Sequence, residues 1–463
     1  MPAIFFVFIV ILFQRANTMM AQSINPLFVK YVLHTSLIYV GIATAVYAAS
    51  TLLVRYIVSI RVKPAHITKF IIAGMILFSI AMLGYFFSNS LIEFLLFVVI
   101  SGFATAIIMP FLLSLVNFVS DKKDIEKNLT IYSLMLSLAL VIGPLLGTIM
   151  LSVFSIRYIY LLLFVFAVAG LFFAMKINKT AKNKIKEKLR QSDNTADSIS
   201  DPQHSDNVFI NKNLAASKNY TNRNSQSDDN TFINKNSGGI NGIEPENKIS
   251  DNSNNQYNNY NNIKIKQKKD RLIFRLFKNK KFLEVVFYNT VFSICFASIV
   301  AFGGVYARNN FQAPYFLITL LFAIFFISSL ITRLVLLFFT KKGKIKQKMN
   351  IMNISILLSS LSFAAMVLSN NIIFYALALV LLGIPHALIF PVGTMRISEV
   401  VEVKQIVAAN TIYQSNFDIG GIIGPLFLSY IGEAYSIKFV FFLLAVFLGL
   451  AFILGRVFMK LLN

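Results

Sequence analysis

Three ionisable side chains lie deep inside long apolar segments of this sequence: Arg15, His386 and Asp418. At ~1.5 Å per helical residue, Arg15 lies roughly 18 Å from the start of its segment, near the middle of a hydrocarbon core about 30 Å thick. A charge at that depth is costly unless it faces a wet cavity or a partner of opposite charge. Guanidinium groups bind anions, and carboxyl and imidazole groups carry protons, so these residues predict a pathway for a solute and for protons.

Four neutral polar residues on the same segments are further candidates for this pathway: Asn17, Gln22, Gln414 and Asn416. Each candidate has an alternative interpretation, because polar side chains also form hydrogen bonds between packed membrane helices. Arg15 would lie near the membrane surface if its helix began later, His386 would bond a neighbouring helix, and Asp418 would belong to a structural ion pair. We expect Arg15 to face a solute cavity, where it holds an anionic group or pairs with Asp418.

The segments that must position these residues dominate the chain. Of its 463 residues, 56% are hydrophobic and 46 are Phe, a composition typical of a protein that crosses the membrane many times. Turn and charge signals divide the apolar sequence into twelve predicted membrane helices. They span residues 3–26, 37–60, 67–88, 91–116, 128–152, 157–177, 282–305, 313–339, 349–368, 371–395, 406–430 and 436–459.

The distribution of basic residues favours one orientation. If both termini and every second loop are cytoplasmic, the 43 Lys and Arg lie at the cytoplasmic side with few exceptions: Lys30, Arg157, Arg308 and Lys438 outside, and Arg15 within the membrane. This asymmetry follows the positive-inside rule and accounts for the net charge of +23 without nucleic-acid binding. We therefore predict a multi-pass protein of the cell membrane, in contact with lipid, with both termini in the cytoplasm.

Signals of catalysis or of a bound cofactor do not occur in the sequence. The single cysteine, Cys295, excludes an intrachain disulfide or a cysteine-based metal cluster and is expected to be a packing residue. The nucleotide-binding pattern GxxxxGK[ST] is absent, which argues against an ATP-driven pump. No nucleophile, acid–base pair or metal-binding constellation appears at the predicted membrane surfaces. We expect a monomer that is not an enzyme and holds neither a cofactor nor a metal.

The segment from residue 178 to 281 has a different composition. It contains NSNNQYNNYNN and the similar stretches SDNVFINKN and SDDNTFINKN. Such a segment buries too little apolar surface to offset the entropy lost on ordering, so we predict a disordered cytoplasmic linker. Its basic flanks would anchor to anionic headgroups or dock a partner, and RLIFRLF would form a short interfacial helix. The predicted domains are a bundle at 1–177, this linker, and a second bundle at 282–463.

The two halves of the chain are copies of each other. Residues 67–176 align with residues 348–457 without a gap. In this register FSNSLIEFLLFVVISGFATAIIMP lies over LSNNIIFYALALVLLGIPHALIFP, and TIYSLMLSLALVIGPLLG lies over TIYQSNFDIGGIIGPLFL. The shared Gly, Pro, Asn and Tyr positions are too many for a chance match of apolar segments. Arg55, near the end of helix 2, has a counterpart in helix 8, Arg333, at a slightly different offset.

Six plus six helices in parallel halves, joined by a long basic loop, resemble the major facilitator superfamily of secondary transporters. The resemblance covers essentially the whole chain except the central loop. It implies two six-helix bundles around a midplane cavity that opens alternately to each side. Helices 1, 4, 7 and 10 would line the cavity, helices 2, 5, 8 and 11 would meet across the halves, and helices 3, 6, 9 and 12 would face lipid. The predicted fold is an all-α membrane protein with twelve transmembrane helices in two pseudo-symmetric six-helix bundles.

Two sequence motifs are candidates for gating. IGPLLG in helix 5 and GGIIGPLF in helix 11 resemble the glycine–proline motif of the family's antiport branch. Small residues let helices approach closely and proline allows a bend, so we predict a hinge, with ordinary helix packing as the alternative. Arg55 would cap the cytoplasmic end of helix 11 or snorkel to the membrane surface. The predicted gating and hinge residues are Arg55, Gly143, Pro144, Gly147, Gly420, Gly424 and Pro425.

Two signatures of the family are incomplete in this chain. In the loop between helices 2 and 3, Ser59, Lys63 and His66 stand where the resemblance leads us to expect Gly, Asp and Gly. Val98 stands near the place of the helix 4 arginine that proton-linked drug exporters of the family carry. The signature of a drug exporter is therefore only partly present.

The sequence thus leads to one main functional hypothesis and two alternatives. We predict a secondary transporter that moves a small organic molecule by alternating access, as proton-coupled efflux of drug-like or metabolite cargo. Arg15 favours an alternative, the proton-coupled or facilitated uptake of an organic anion or metabolite. The incomplete helix 2–3 loop and the large central loop favour an alternative of another class, a non-transporting membrane receptor or degenerate family member.

Overall fold

The regular structure of the chain is helical. A computed structural model describes residues 3–61, 66–121, 124–200, 275–341, 345–402 and 405–462, and these residues form twelve long α-helices and no β-strand. A π-helical turn, Phe28–Val32, follows the first helix. In chain order the helices are α1 (Ala3–Leu27), α2 (Leu37–Arg61), α3 (Ile67–Phe87), α4 (Leu91–Val119), α5 (Ile125–Leu151), α6 (Ile156–Ser200), α7 (Lys280–Phe311), α8 (Tyr315–Lys341), α9 (Lys348–Leu368), α10 (Ile372–Val400), α11 (Ile406–Ala434) and α12 (Ile437–Leu462).

Short polar caps separate the helices that follow each other most tightly. Ser90 precedes α4, where its hydroxyl accepts a hydrogen bond from the backbone N–H of Glu93 (3.3 Å) and the Glu93 carboxylate accepts one from the N–H of Ser90 (3.4 Å). At the matching break before α10, the side-chain oxygen of Asn371 accepts hydrogen bonds from the N–H groups of Ile373 and Phe374 (3.1 and 3.0 Å). These caps pair N–H groups that a helix start leaves free, so the tight breaks predicted there are confirmed.

The helices have the length and composition of membrane spans. Within the described residues, eleven of them are long and apolar enough to cross a bilayer. The remaining helix, α11, is 29 residues long but carries Gln414, Asn416 and Asp418 in its interior. These polar groups lower its mean hydropathy, and α11 packs between α2 and α7, which gives it protein neighbours. The structure therefore agrees with the predicted all-α membrane fold.

The two halves pack against each other through two pairs of helices. α2 lies against α11 and α5 lies against α8, so the expectation that helices 2, 5, 8 and 11 meet across the halves is confirmed. Polar contacts join the halves near the end of α1: the carboxylate of Glu433 lies 3.7 Å from Nζ of Lys30 and accepts a hydrogen bond from the N–H of Leu37 (2.5 Å). Within each half, α1 packs on α5 and α7 packs on α11.

The chain between the halves is described only in part. α6 continues without a break to Ser200, so the first residues of the predicted linker are helical. Residues 201–274 lie outside the described residues, as do the first four residues of RLIFRLF. The described residues up to 185 and from 275 onwards form one compact unit. The disorder of the linker and its interfacial helix therefore stay predictions.

Candidate functional site

The interface between α2 and α11 holds an ion pair. Nη1 of Arg55 donates a hydrogen bond to Oδ2 of Asp418 over 2.5 Å, and the two side chains keep 22% and 14% of their surface accessible. Asp418 lies about 12 residues, or ~18 Å, into α11. Two expectations are thereby corrected: Asp418 pairs with Arg55 and not with Arg15, and Arg55 does not cap the end of α11. The reason is that α2 and α11 pack side by side, so that the long Arg55 side chain reaches the interior of α11.

A matching contact joins α5 and α8 at the other interface between the halves. Nη1 of Arg333 donates a hydrogen bond to Oγ of Ser137 over 2.9 Å. Ser137 and Asp418 occupy the same position in the aligned repeat, so the two acceptors correspond, whereas Arg333 stands at a slightly different offset from Arg55. The two contacts differ in charge, because Arg55 meets a carboxylate whereas Arg333 meets a neutral hydroxyl.

Arg15 lies near both of these contacts. Its side chain, on α1, is half-buried beside Tyr47 of α2 and Tyr132 of α5, and it is close enough to Arg55 and Arg333 for the positive charges to repel one another. It forms no hydrogen bond or ion pair with any residue that the structure describes. These neighbours come from three helices, α2, α5 and α8, and so from both halves. The site therefore combines three guanidinium groups with one carboxylate.

His386 lies on α10 within an aromatic enclosure. Its Nδ1 shares a 2.8 Å hydrogen bond with Oγ of Ser329 on α8, and its ring stacks on Phe296 of α7 with the ring centroids 4.6 Å apart. Three further rings line the enclosure: Phe292, Phe325 and Phe326. The hydrogen bond to a neighbouring helix is the alternative considered for this residue, and a role in proton transfer stays a prediction.

The four neutral polar candidates have different surroundings. Nδ2 of Asn17 donates a hydrogen bond to the backbone carbonyl of Leu163 on α6 (2.8 Å), which is a packing contact. Asn416 is buried where α11 meets α7. Gln22 is half-buried and Gln414 is exposed. Of these four residues, the two glutamines therefore keep more accessible surface than the two asparagines.

Two glycines of the glycine–proline segments lie where helices approach closely. At Gly143 a Cβ atom would overlap the backbone carbonyl of Ala16 on α1. At Gly424, the copy of Gly143 in the repeat, a Cβ atom would lie 2.7 Å from the backbone carbonyl of Ile294 on α7. Both contacts require a residue without a side chain, as in other small-residue interfaces of membrane helices.

The other predicted hinge residues also lie at helix contacts. Pro144 and Pro425 lie inside α5 and α11, which continue past them. Gly147 lies against Thr319 of α8, and Gly420 lies against α7. These positions support a packing role for the segments, and their movement as hinges stays a prediction.

Four residues of the site were not among the sequence-based candidates: Tyr47, Tyr132, Ser137 and Arg333. The repeat contained a signal for two of them, because Arg333 is the counterpart of Arg55 and Ser137 aligns with Asp418. Tyr47 and Tyr132 gave no such signal, since a tyrosine in an apolar helix is in most cases a packing residue.

Comparisons with known proteins agree with this architecture. The sequence model of the Major Facilitator Superfamily matches residues 7–349 and 343–462. The structure of the nucleoside transporter NupG matches with a TM-score of 0.69 at 11% identity, covering 99% of this chain and 100% of that chain. A peptide transporter POT in complex with sulfate matches with a TM-score of 0.70 at 12% identity, covering 99% and 94%. A POT family transporter in complex with 5-aminolevulinic acid matches with a TM-score of 0.68 at 12% identity, covering 98% and 95%.

These results differ in what they establish. At 11 to 12% identity, the likeness to the solved structures shows the fold and leaves the cargo open. Among curated proteins, none matches the chain significantly. The family model, in contrast, covers almost the entire chain. The chain therefore belongs to the major facilitator superfamily, and it is a multi-pass membrane transporter of small molecules and not an enzyme.

Proposed function

We propose that this protein moves a small organic solute across the membrane by alternating access and couples this movement to protons through Asp418. The observation that carries the proposal is the ion pair between Arg55 and Asp418, which joins the two halves about 12 residues inside α11. Ionisable groups inside a membrane are costly and commonly mark ion or substrate pathways. Because this pair bridges two bodies that separate during alternating access, the charge of Asp418 and the conformation are linked.

The chemical step is a change of charge on one carboxyl group. With Asp418 ionised, the pair holds α2 against α11. A proton on Asp418 removes the negative charge and leaves a weaker hydrogen bond, so α2 and α11 separate at a lower cost. On the α2 side Asp418 faces Arg55 and Tyr47. The described α7 side chains that bond to α11, Asn289 and Ser293, are neutral.

Efflux of drug-like or metabolite cargo is the main hypothesis for direction and cargo. It is supported by the glycine–proline segments, which resemble those of the antiport branch, and by the close helix contacts at Gly143 and Gly424. The solved structures with this fold include a nucleoside transporter and peptide transporters. Cargo therefore varies widely on one fold and has to be inferred from the site.

A specific observation favours a second candidate function, the uptake of an organic anion. Three arginines lie close together and only one of them has a carboxylate partner within the described residues: Arg15, Arg55 and Arg333. An excess of positive charge at mid-depth attracts an anion and repels a lipophilic cation. Uptake with a proton would suit such a cargo, because the proton offsets part of its charge.

We further propose how the chain is placed in the cell. The concentration of Lys and Arg in every second loop supports a location in the cell membrane with both termini in the cytoplasm. In that orientation residues 178–281 form a cytoplasmic linker between the bundles at 1–177 and 282–463. The two bundles of one chain together contain all the helices that are expected to line the cavity, which supports a monomer as the working unit.

Proton movement driven by substrate in proteoliposomes tests this proposal. The purified full chain is reconstituted with a pH-sensitive dye inside the vesicles, and lipophilic cations and organic anions are added in turn. Wild type is compared with Asp418→Asn. The matched control is Glu399→Gln, which removes a carboxylate whose ion pairs, with Lys348 and Arg396, lie within one half.

One class of solute is expected to drive proton flux in wild type and in the control. Asp418→Asn is expected to lose this flux while it still exchanges labelled solute, because only the proton site is removed. The sign of the flux separates efflux against protons from uptake with protons. Unchanged flux in Asp418→Asn would overturn the role of Asp418, and no flux or exchange with any solute would favour the non-transporting receptor.

A further inference from the structure

We infer that Arg15 and Arg333 together form a binding site for an anionic group of the solute, a carboxylate or a phosphate. This inference rests on the proposed transport function and names the class of substrate for the same cavity. It differs from the role of Asp418, because it concerns the two guanidinium groups that have no carboxylate partner among the described residues.

The first argument is the distribution of charge between the two copied contacts. Arg55 is neutralised by Asp418, whereas Arg333 meets the hydroxyl of Ser137 at the equivalent position. Neither Arg15 nor Arg333 forms an ion pair within the described part of the chain. Position 137, beside Arg333, therefore corresponds to the position of Asp418 beside Arg55, but it carries a neutral serine.

The second argument is the burial of these two groups. Nε of Arg333 is buried without a hydrogen-bond partner among the described residues, and Arg15 is half-buried at mid-depth. The two guanidinium groups lie close enough to repel each other. Buried charge without a partner is costly, and an anion between the two groups would remove both the unpaired charge and the repulsion.

The third argument is the chemistry and position of the Arg15 and Arg333 side chains. A guanidinium group presents a planar fork of N–H donors that matches the oxygen pair of a carboxylate or phosphate. Arg15 belongs to the first half and Arg333 to the second, so a bound anion would contact both bodies that move in alternating access. Tyr47 and Tyr132 beside Arg15 place aromatic surface and hydroxyl groups near the same point. The rest of an organic anion would therefore meet aromatic side chains.

The difference in charge between the aligned residues Ser137 and Asp418 provides a test. Ser137→Asp places a carboxylate beside Arg333, as Asp418 lies beside Arg55, and this internal anion should compete with the solute. Ser137→Asn is the matched control, because it has the same size and no charge. Arg333→Gln removes the guanidinium directly and serves as a second variant in case Ser137→Asp does not fold, which size-exclusion chromatography reports.

Binding is measured on the purified full chain in lipid nanodiscs by thermal unfolding and titration calorimetry. The probes are succinate, benzoate and inorganic phosphate, with choline as the cationic control. At least one anion is expected to raise the unfolding temperature of wild type and of Ser137→Asn, while choline has no effect. In Ser137→Asp and Arg333→Gln the affinity for that anion is expected to fall about tenfold or more.

Two outcomes would overturn the inference. Binding that is equal in Ser137→Asp, Ser137→Asn and wild type would mean that Arg333 does not contact the anion. Failure of all three anions to bind wild type would mean that the arginines do not form the site. If a cation or a neutral solute drives proton flux and this flux is lost in Asp418→Asn, the proposed function would be supported and the anion site contradicted. If an anion binds but drives no proton flux, the anion site would be supported and the coupling to protons contradicted.

Discussion

The two interfaces between the halves share a geometry and differ in charge. Where α2 meets α11, Arg55 donates to the carboxylate of Asp418, and where α5 meets α8, Arg333 donates to the hydroxyl of Ser137. The internal repeat accounts for the shared geometry, because the two acceptors stand at aligned positions. It does not account for the difference in charge: within the described residues, one interface pairs its arginine with a carboxylate and the other pairs its arginine with a neutral hydroxyl.

Under the proposed function, this difference gives the two interfaces separate roles. A contact that only held the halves together could be the same in both copies, and a half-buried arginine with a neutral partner would be an expensive way to build it. We therefore assign the response to protons to the α2–α11 interface, where a carboxylate is present, and the response to an anion to the α5–α8 interface. Each prediction below makes the two interfaces more alike or measures how far they differ.

The largest effect is expected when the difference is abolished. Asp418→Ser gives both interfaces an arginine and a hydroxyl. Proton-coupled flux should be lost, and stability should fall by about 3 kcal/mol, the low end for a buried pair because both side chains keep accessible surface. Thermal unfolding in nanodiscs and flux in proteoliposomes measure the two effects. Glu399→Gln, which removes a carboxylate that is more exposed than Asp418, should cost no more than about 1 kcal/mol. Proton-coupled flux that survives Asp418→Ser would contradict the assignment.

The next effect is a difference between two coupling energies. A double-mutant cycle of Arg55→Gln with Asp418→Asn should give a coupling of about 2–3 kcal/mol, because both partners are charged. A cycle of Arg333→Gln with Ser137→Ala should give about 1.5 kcal/mol, the low end for a hydrogen bond to a charged group, because one partner is neutral. Both are measured by thermal unfolding of the single and double variants. Equal couplings would show that the charge of Asp418 does not distinguish the two interfaces.

The membrane helices were predictable because their signals are local. Apolar runs of about 20 residues require burial in lipid, and short polar breaks such as the one capped by Ser90 and Glu93 end them. Helix ends were less predictable where the helix continues outside the membrane. The span predicted to end at residue 177 continues as α6 to Ser200, since helical hydrogen bonds do not depend on the apolar composition that marked the span.

The position of the candidate residues along their helices was predictable, but their pairing only in part. Arg15 and Asp418 each lie about 12 residues inside a helix, as the apolar segments predicted, and their depth in the membrane stays a prediction. Which arginine meets Asp418 depends on the rotation of each helix and on the helices that pack together, which a single sequence does not contain. Arg55 was expected at a helix end, yet its long side chain reaches into the interface, where α2 packs on α11.

A smaller effect is expected from adding a methyl group at Gly143 and Gly424, where two helix contacts correspond in the repeat. Gly143→Ala and Gly424→Ala each place a methyl group against a backbone carbonyl that cannot easily move, at Ala16 and Ile294. Each change should cost about 2 kcal/mol in thermal unfolding, as overpacking does elsewhere. Gly449→Ala is the control, because its Cβ would lie at an ordinary 3.4 Å from Oγ of Ser360.

Equal losses for Gly143→Ala and Gly424→Ala would show that the packing of the two halves is symmetric although their charges are not. A loss in only one of them would mean that the halves also differ in packing. Labelled-solute exchange by the same variants tests the hinge: slower exchange at unchanged affinity would support movement at these segments, and unchanged exchange would leave them with a packing role alone.

The smallest effect concerns the neutral part of the α5–α8 interface. The hydroxyls of Thr148 and Thr319 lie 3.1 Å apart across it, and Thr319 also donates to the carbonyl of Phe316 within α8 (2.9 Å). Thr319→Val should cost about 0.6 kcal/mol, the usual value for a hydrogen bond between membrane helices. Thr332→Val is the control, because its hydroxyl donates to Ser328 within the same helix (2.9 Å).

The loss of stability on removing these hydroxyls shows whether the two interfaces are held together differently. If α5 and α8 are joined by packing and neutral contacts, changing both Thr148 and Thr319 to Val should cost about 1 kcal/mol in thermal unfolding. It should also leave the effect of pH on solute exchange as in wild type, since neither hydroxyl carries a charge. A loss near 3 kcal/mol, or an altered pH dependence, would mean that this interface also relies on a polar connection. The α5–α8 interface would then not be a neutral counterpart of the ion pair between Arg55 and Asp418.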